Sequence, residues 1–93
     1  MLLVVTYLGG FVNMDNVFDI AIQPHPCGED DDGYLEYQVY ACGTDISRLL
    51  YKGEEVDCKR YLQWLHIRFR NMHEGVIPFP SAEELARIGL DPL

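Results

Sequence analysis

The sequence predicts an α+β fold in which a small antiparallel sheet of about three strands is followed by a short helix, a long central helix and a short C-terminal helix packed on one face of the sheet. Alternating and β-branched runs lie in the first half of the chain, and the one long run with helical spacing lies at residues 54–74. Strand signals that precede helix signals are typical of α+β domains. The 93 residues suit a single domain spanning 1–93.

Two strands are expected before residue 24. Leu2–Leu8 is rich in aliphatic and β-branched residues and ends at Gly9-Gly10, which can form a hairpin turn that lets the next residues pair back. Val17–Gln23 alternates between apolar and polar residues, and Pro24 and Pro26 are expected to end it. The alternation places three apolar side chains on one side of this strand: Phe18, Ile20 and Ile22.

The third strand, Tyr34–Cys42, alternates most clearly. One face is apolar and suits a core. The opposite face is aromatic and polar, which suits a solvated surface or an interface, because tyrosine gives a large contact area at low entropic cost. The apolar face carries Leu35, Tyr37, Val39 and Ala41, and the opposite face carries Tyr34, Glu36, Gln38 and Tyr40.

A short apolar run follows Gly43 and allows two interpretations. In the first, Thr44 or Asp45 caps a short helix over Ile46–Lys52. In the second, Arg48–Val56 forms a hairpin that turns at Lys52-Gly53. Short apolar runs do not separate helix from strand by periodicity, so both interpretations stay open.

The segment Glu54–Glu74 has the spacing of one helical face. Acidic residues occupy its first turn and arginines lie near its end, which complements the helix dipole. Gly75 is expected to stop this helix. The apolar stripe consists of Cys58, Tyr61, Leu62, Leu65, Phe69 and Met72.

The last part of the chain predicts an extended segment and a second helix. Two prolines exclude a helix interior from Val76–Pro80. Ser81 and Glu84 have the spacing of a capping box, so a short helix should begin there and end at Gly89.

The formal net charge is −8 and is unevenly distributed. Residues 1–47 contain eight acids and no Lys or Arg, whereas the remainder is balanced. Because phosphate attraction requires clustered Lys and Arg, direct binding of nucleic acid or anionic membranes is disfavoured. The charge favours a protein partner with a basic surface, or mimicry of a polyanion.

Cysteine use and hydropathy favour a cytoplasmic protein. Cys27, Cys42 and Cys58 are too few and too scattered for a disulfide framework. Met1–Leu8 lacks the features of a signal peptide, and no stretch approaches the roughly 20 apolar residues that a membrane span needs.

Little in the sequence supports a catalytic or metal-binding site. The acidic run at residues 29–32 fails the EF-hand pattern, because the required first acid and the final glutamate are absent. We expect no cofactor and no metal. The alternative is a small metal- or thiol-dependent enzyme or sensor that uses His25 and Cys27 with His66 or His73.

The prediction is therefore a non-enzymatic interaction module, such as a regulatory, inhibitor-like or immunity-like protein, that acts as a homodimer. A structural subunit of a larger assembly is a further alternative. Acidic and tyrosine-rich surface would supply most of the contacts. Trp64 is expected either to pack at the edge of the core with Tyr61 or, with Arg68 stacked beside it, to anchor the interface. The predicted partner-binding residues are Glu29, Asp30, Asp31, Asp32, Tyr34, Tyr40, Trp64, Arg68 and Arg70.

Overall fold

Among the residues that the structure describes, a three-stranded antiparallel sheet, a smaller mixed sheet, two α-helices and a 3-10 turn at Met14–Asn16 form the fold. The computed structural model describes residues 1–26, 35–43 and 46–88, with residues 25, 26 and 35 described by their backbone alone. The α+β class is confirmed. In chain order the elements are β1 (Leu2–Val5), β2 (Phe11–Asn13), β3 (Val17–Pro26), β4 (Leu35–Gly43), β5 (Ser47–Gly53), α1 (Glu55–Asn71), β6 (Gly75–Ile77) and α2 (Ala82–Ala86).

The larger sheet has the strand order β3-β4-β5, with both pairings antiparallel. The predicted apolar face of β4 is confirmed, since Val39 and Ala41 are fully buried. The prediction that Pro24 and Pro26 end β3 is wrong, because pairing with β4 continues to Pro26. At the edge of a sheet a proline without an N–H need not remove a ladder hydrogen bond.

The segment predicted as a helix over Ile46–Lys52 is a strand. β5 pairs with the preceding strand, β4, and not with the residues that follow Gly53. The alternative hairpin that turns at Lys52-Gly53 is therefore wrong as well. A register shift between Val39 and Tyr40 accommodates an extra residue on β5, and Leu50 becomes fully buried. The free edge of β4 and a place in the core therefore outweigh the local helical pattern of this short run.

Phe18 does not share the burial of Ile20 and Ile22. The register of β3 shifts between Val17 and Asp19, and Phe18 is the extra residue at this bulge. Its side chain is 74% exposed, whereas Ile20 and Ile22 pack against the core. Position 43, on the strand opposite the bulge, requires glycine, because a Cβ on Gly43 would collide with the backbone oxygen of Asn16.

The smaller sheet has the order β2-β1-β6. The predicted return of the chain at Gly9-Gly10 is confirmed, with β2 antiparallel to β1 and Gly9 at a φ of +92°. The hydroxyl of Thr6 accepts from the backbone N–H of Gly10 at 3.0 Å and closes the turn. Part of the segment that was predicted only to be extended, Val76–Pro80, belongs to β6. This strand pairs in parallel with β1.

The long helix is confirmed, although it ends at Asn71 rather than at Glu74. Met72 is already extended, and Gly75 begins β6 instead of stopping the helix. Within the predicted stripe Leu62 and Phe69 are only half-buried, whereas Trp64 is buried. The buried side of α1 is thus rotated towards Trp64, because α2 packs on that side.

The second helix begins with the predicted capping box. The hydroxyl of Ser81 accepts from the backbone N–H of Glu84 at 3.1 Å, and the Glu84 carboxylate accepts from the backbone N–H of Ser81 at 3.4 Å. Leu85 is buried beneath this helix. The predicted stop at Gly89 lies outside the described residues.

Candidate interaction surface

The acidic part of the predicted surface lies outside the described residues. This holds for Glu29, Asp30, Asp31, Asp32 and Tyr34, and also for Cys27 of the alternative thiol site. Their predicted roles stay predictions.

Tyr40 lies on the polar face of β4, as its place in the alternation predicts. Its hydroxyl donates a hydrogen bond to Oε1 of Gln38. The Gln38 side chain in turn donates from Nε2 to Oε1 of Glu36 at 3.3 Å. These three side chains form one polar row along a single strand, and the half-buried Tyr40 leaves part of its ring to solvent.

Trp64 lies in the core, with only 4% of its surface exposed. Its indole Nε1 donates to Oε2 of Glu84 at 3.2 Å, and Nη2 of Arg68 approaches the same oxygen at 3.0 Å. The guanidinium of Arg68 also lies over the Trp64 ring, 5.5 Å from its centroid. We call these three side chains the Glu84 clasp. An anchor at this place would have to use Arg68 and Glu84, because the indole offers almost no surface.

The clasp also shifts the titration of its carboxylate. Two hydrogen bonds lower the pKa of Glu84 below its ordinary value. The bond from Trp64 has the larger effect and the bond from Arg68 the next largest. Sequence reasoning assigned Glu84 to the capping box alone. The contact with Trp64 spans twenty residues, so no local pattern could have indicated it.

The side of α1 that faces away from α2 carries shallow apolar grooves. One of about 410 Å³ is lined by Leu62, Gln63, His66 and Ile67. A second of about 260 Å³ lies between α1 and β3 and shares Leu62 and His66 with the first. Ile67 is 45% exposed. The α1 outer surface, as we name it, consists of Ile20, Leu62, Gln63, His66, Ile67 and Phe69.

Arg70 adjoins this surface and is exposed. It follows His66 by four residues and Ile67 by three, so the three side chains lie on the same side of the helix. Within the described residues Arg70 forms no ion pair, whereas Lys59, Arg60 and Arg68 each have an acidic partner. The structure thus places Arg70 beside the α1 outer surface and Arg68 in the Glu84 clasp, on different sides of α1.

The described thiols differ in environment. Cys58 is fully buried, and its Sγ donates to the carbonyl oxygen of Tyr37 at 3.4 Å. Burial raises the pKa of the Cys58 thiol to about 11, so little thiolate forms at neutral pH. Cys42 is half-buried. His66 and His73 are exposed, and in the described part of the chain no three His, Cys, Asp or Glu side chains gather as metal ligands would.

An aromatic cluster connects the two sheets with α1, and the sequence patterns did not indicate it. Tyr51 of β5 stacks on Tyr61 of α1 with ring centroids 4.9 Å apart. Phe79 stacks on Tyr51 at 5.9 Å, and Tyr7 meets both rings edge-on. The hydroxyl of Tyr61 has no hydrogen-bond partner among the described residues, and burial raises the pKa of Tyr61.

No described helix combines the length and the apolar character required to cross a bilayer. Comparison of the chain with models of protein families, with curated proteins and with solved structures finds no match.

Proposed function

We propose that this chain is a non-enzymatic protein-interaction module that binds another protein and also forms a homodimer. The observation that carries the proposal is the α1 outer surface, where apolar grooves about 410 and 260 Å³ in volume open beside an exposed Ile67. Contiguous exposed apolar surface rimmed by polar residues is typical of interaction sites. His66, Gln63 and Arg70 supply such a rim.

A second part of the proposal concerns charge. The N-terminal half of the chain carries the entire excess of acids, and four of them form the run Glu29–Asp32. A run of this kind attracts a partner with a basic surface and speeds the encounter with it. Of the three described acids of this half, Asp15 and Asp19 are exposed and Glu36 is half-buried, and they extend the negative charge onto the folded domain.

The thiol- or metal-dependent alternative receives less support. Cys58 is buried with a raised pKa and is a poor nucleophile. Exposed His66 lies on α1, whereas exposed His73 lies beyond the end of the helix. Among the described residues no three His, Cys, Asp or Glu side chains gather around either of them. Elemental analysis of the purified protein tests this alternative, because stoichiometric bound metal would favour it.

A pull-down from native cell lysate tests the partner proposal. Immobilised wild-type chain should recover a partner at low salt and less of it at high salt, because charge attraction is screened. Reversing the charges of Asp30, Asp31 and Asp32 should reduce recovery, whereas Glu83→Lys, a single charge reversal at another site on α2, should not. Equal recovery by the wild type and the triple variant would exclude the acidic run from the binding site.

A further inference from the structure

The smaller sheet turns one face to the core and the other away from it. Val4, Val12 and Ile77 are cross-strand neighbours on the first face, and all three are buried. Side chains alternate between the two faces of a sheet, so the residues that flank these three along the strands point away from the core. We call this side the outer sheet face. It consists of Leu3, Val5, Phe11, Asn13 and Val76.

The outer sheet face is contiguous and apolar. Val5 is paired with Phe11. Leu3 is paired with Asn13 on one side and with Val76 on the other, so the side chains adjoin across the strands. Phe11 is 54% exposed and Val76 is 44% exposed. A solvated sheet face usually carries polar residues, whereas four of these five are apolar. Exposed apolar surface of this kind is typical of an interaction site.

The smaller sheet is also free of charged side chains. Residues 1–13, which include β1 and β2, contain no Asp, Glu, Lys or Arg, and neither do residues 75–82, which include β6. The whole chain has a net charge of −8, so charged surfaces of two copies repel each other. A second copy can cover the outer sheet face without burying an ion, whereas a basic partner would gain no charge attraction from these residues.

Resting on the homodimer part of the proposed function, we propose that the outer sheet face is the interface between two copies of the chain. The two smaller sheets stack face to face about 10 Å apart, and their apolar side chains interdigitate. Both copies present the same face, so a two-fold axis relates them and the interface closes as a dimer. The face spans three short strands, so the interface belongs to the weak class that buries less than about 1,200 Å².

Analytical ultracentrifugation of the full chain from about 1 to about 500 μM tests the proposal. Wild type should shift from monomer to dimer within this range. Phe11→Ala should raise the dimer dissociation constant about tenfold, because it removes the largest exposed ring of the face. Val76→Thr should raise it at least about fivefold, because each copy then loses the hydration of a hydroxyl on association.

Ile67→Thr is the matched control for Val76→Thr. Ile67 is 45% exposed, against 44% for Val76, and lies on the α1 outer surface. This variant should leave the dimer dissociation constant unchanged. Circular dichroism should show all three variants folded, since the altered side chains are partly exposed and none belongs to the buried core cluster.

Salt dependence separates this interface from the binding of a basic partner. Raising the salt concentration from about 0.05 to about 0.5 M screens the repulsion between two chains of charge −8, so the dimer should become stronger. Recovery of a basic partner by pull-down should fall over the same range. A dimer that weakens as salt rises would depend on ion pairs between the copies and would overturn the inference.

A wild type that is monomeric at every concentration would overturn both this inference and the homodimer part of the proposed function, whereas a partner recovered by pull-down would still support the rest of that function. A dimer that Ile67→Thr weakens, and that Phe11→Ala and Val76→Thr do not, would overturn this inference alone, because self-association would then use the α1 outer surface. A dimer that is insensitive to all three variants would overturn it as well.

Discussion

Trp64 and Glu84 join the two helices through one hydrogen bond, from indole Nε1 to Oε2 at 3.2 Å. The other carboxylate oxygen of Glu84 caps the first turn of α2. A single side chain thus connects the core of α1 with the start of a helix that is only five residues long. Helices of this length are not stable alone, so α2 depends on such tertiary contacts.

Glu84→Ala should lower the free energy of unfolding by about 1–2 kcal/mol, because it removes the acceptor for Trp64 and half of the capping box. The ion pair with Arg68 adds little, since the two side chains are 42% and 39% exposed and solvent screens them. Urea denaturation measures the loss. Glu83→Ala, one residue earlier on the same helix, is the control, and an equal loss there would contradict the role of the clasp.

The stabilising effect of Glu84 should depend on pH. Its pKa is lower in the folded protein than its ordinary value of 4.5. Such a carboxyl stabilises the fold above the unfolded-state pKa, and this contribution disappears as the pH falls through the folded-state pKa. The difference in Tm between wild type and Glu84→Gln should therefore be largest near neutral pH and shrink below about pH 4.5. If thermal melts show the same Tm difference at every pH in this range, the ionisation of Glu84 does not contribute to stability as proposed.

Alanine substitutions at three leucines should show whether residues 47–53 form a strand or a helix. In β5 Leu50 is fully buried and Leu49 only half-buried, whereas a helix would turn both towards the core. Leu50→Ala should cost about 2–5 kcal/mol, and Leu49→Ala clearly less. Leu8→Ala, at an exposed position, should change the unfolding free energy by no more than about 0.5 kcal/mol. Equal costs at Leu49 and Leu50 would contradict the bulge.

Cys58 should resist alkylation in the folded protein. Its pKa rises from an ordinary 9.0 to about 11, which reduces the thiolate at neutral pH about a hundredfold, and its side chain is fully buried. In a chain carrying Cys27→Ser and Cys42→Ser, iodoacetamide should modify Cys58 far more slowly than in denaturant. The matched chain that keeps only the half-buried Cys42 should react faster. Similar folded-state rates for the two chains would show that Cys58 is accessible.

The parts of the fold that depend on neighbouring residues could be predicted from the sequence. The helical spacing from Cys58 to Phe69, the capping box of Ser81 and Glu84, and the alternation in β4 are all local signals. They are decided within one or two turns or a single strand, so a single sequence contains what is needed.

The features that the sequence did not predict depend on distant pairing. Phe18 leaves the core side of β3 because Gly43, on another strand, admits the backbone of Asn16. Leu49 and Leu50 join a strand because β4 has a free edge to pair with. The location of the α1 outer surface also depends on distant contacts. Apolar residues recur along the whole of α1, and the packing of α2 decides which side of the helix remains exposed.

The parallel pairing of β1 with β6 has a consequence for the order of folding. Residues 2–4 are hydrogen-bonded neighbours of residues 75–77, so β1 cannot complete its sheet until residues 75–77 have been synthesised. Contacts of such long sequence separation slow folding, because the loop between them must be closed first. Until then the fully buried Val4 has only the β2 hairpin beside it, and β1 keeps an unpaired apolar strand edge, which favours incorrect pairing and aggregation.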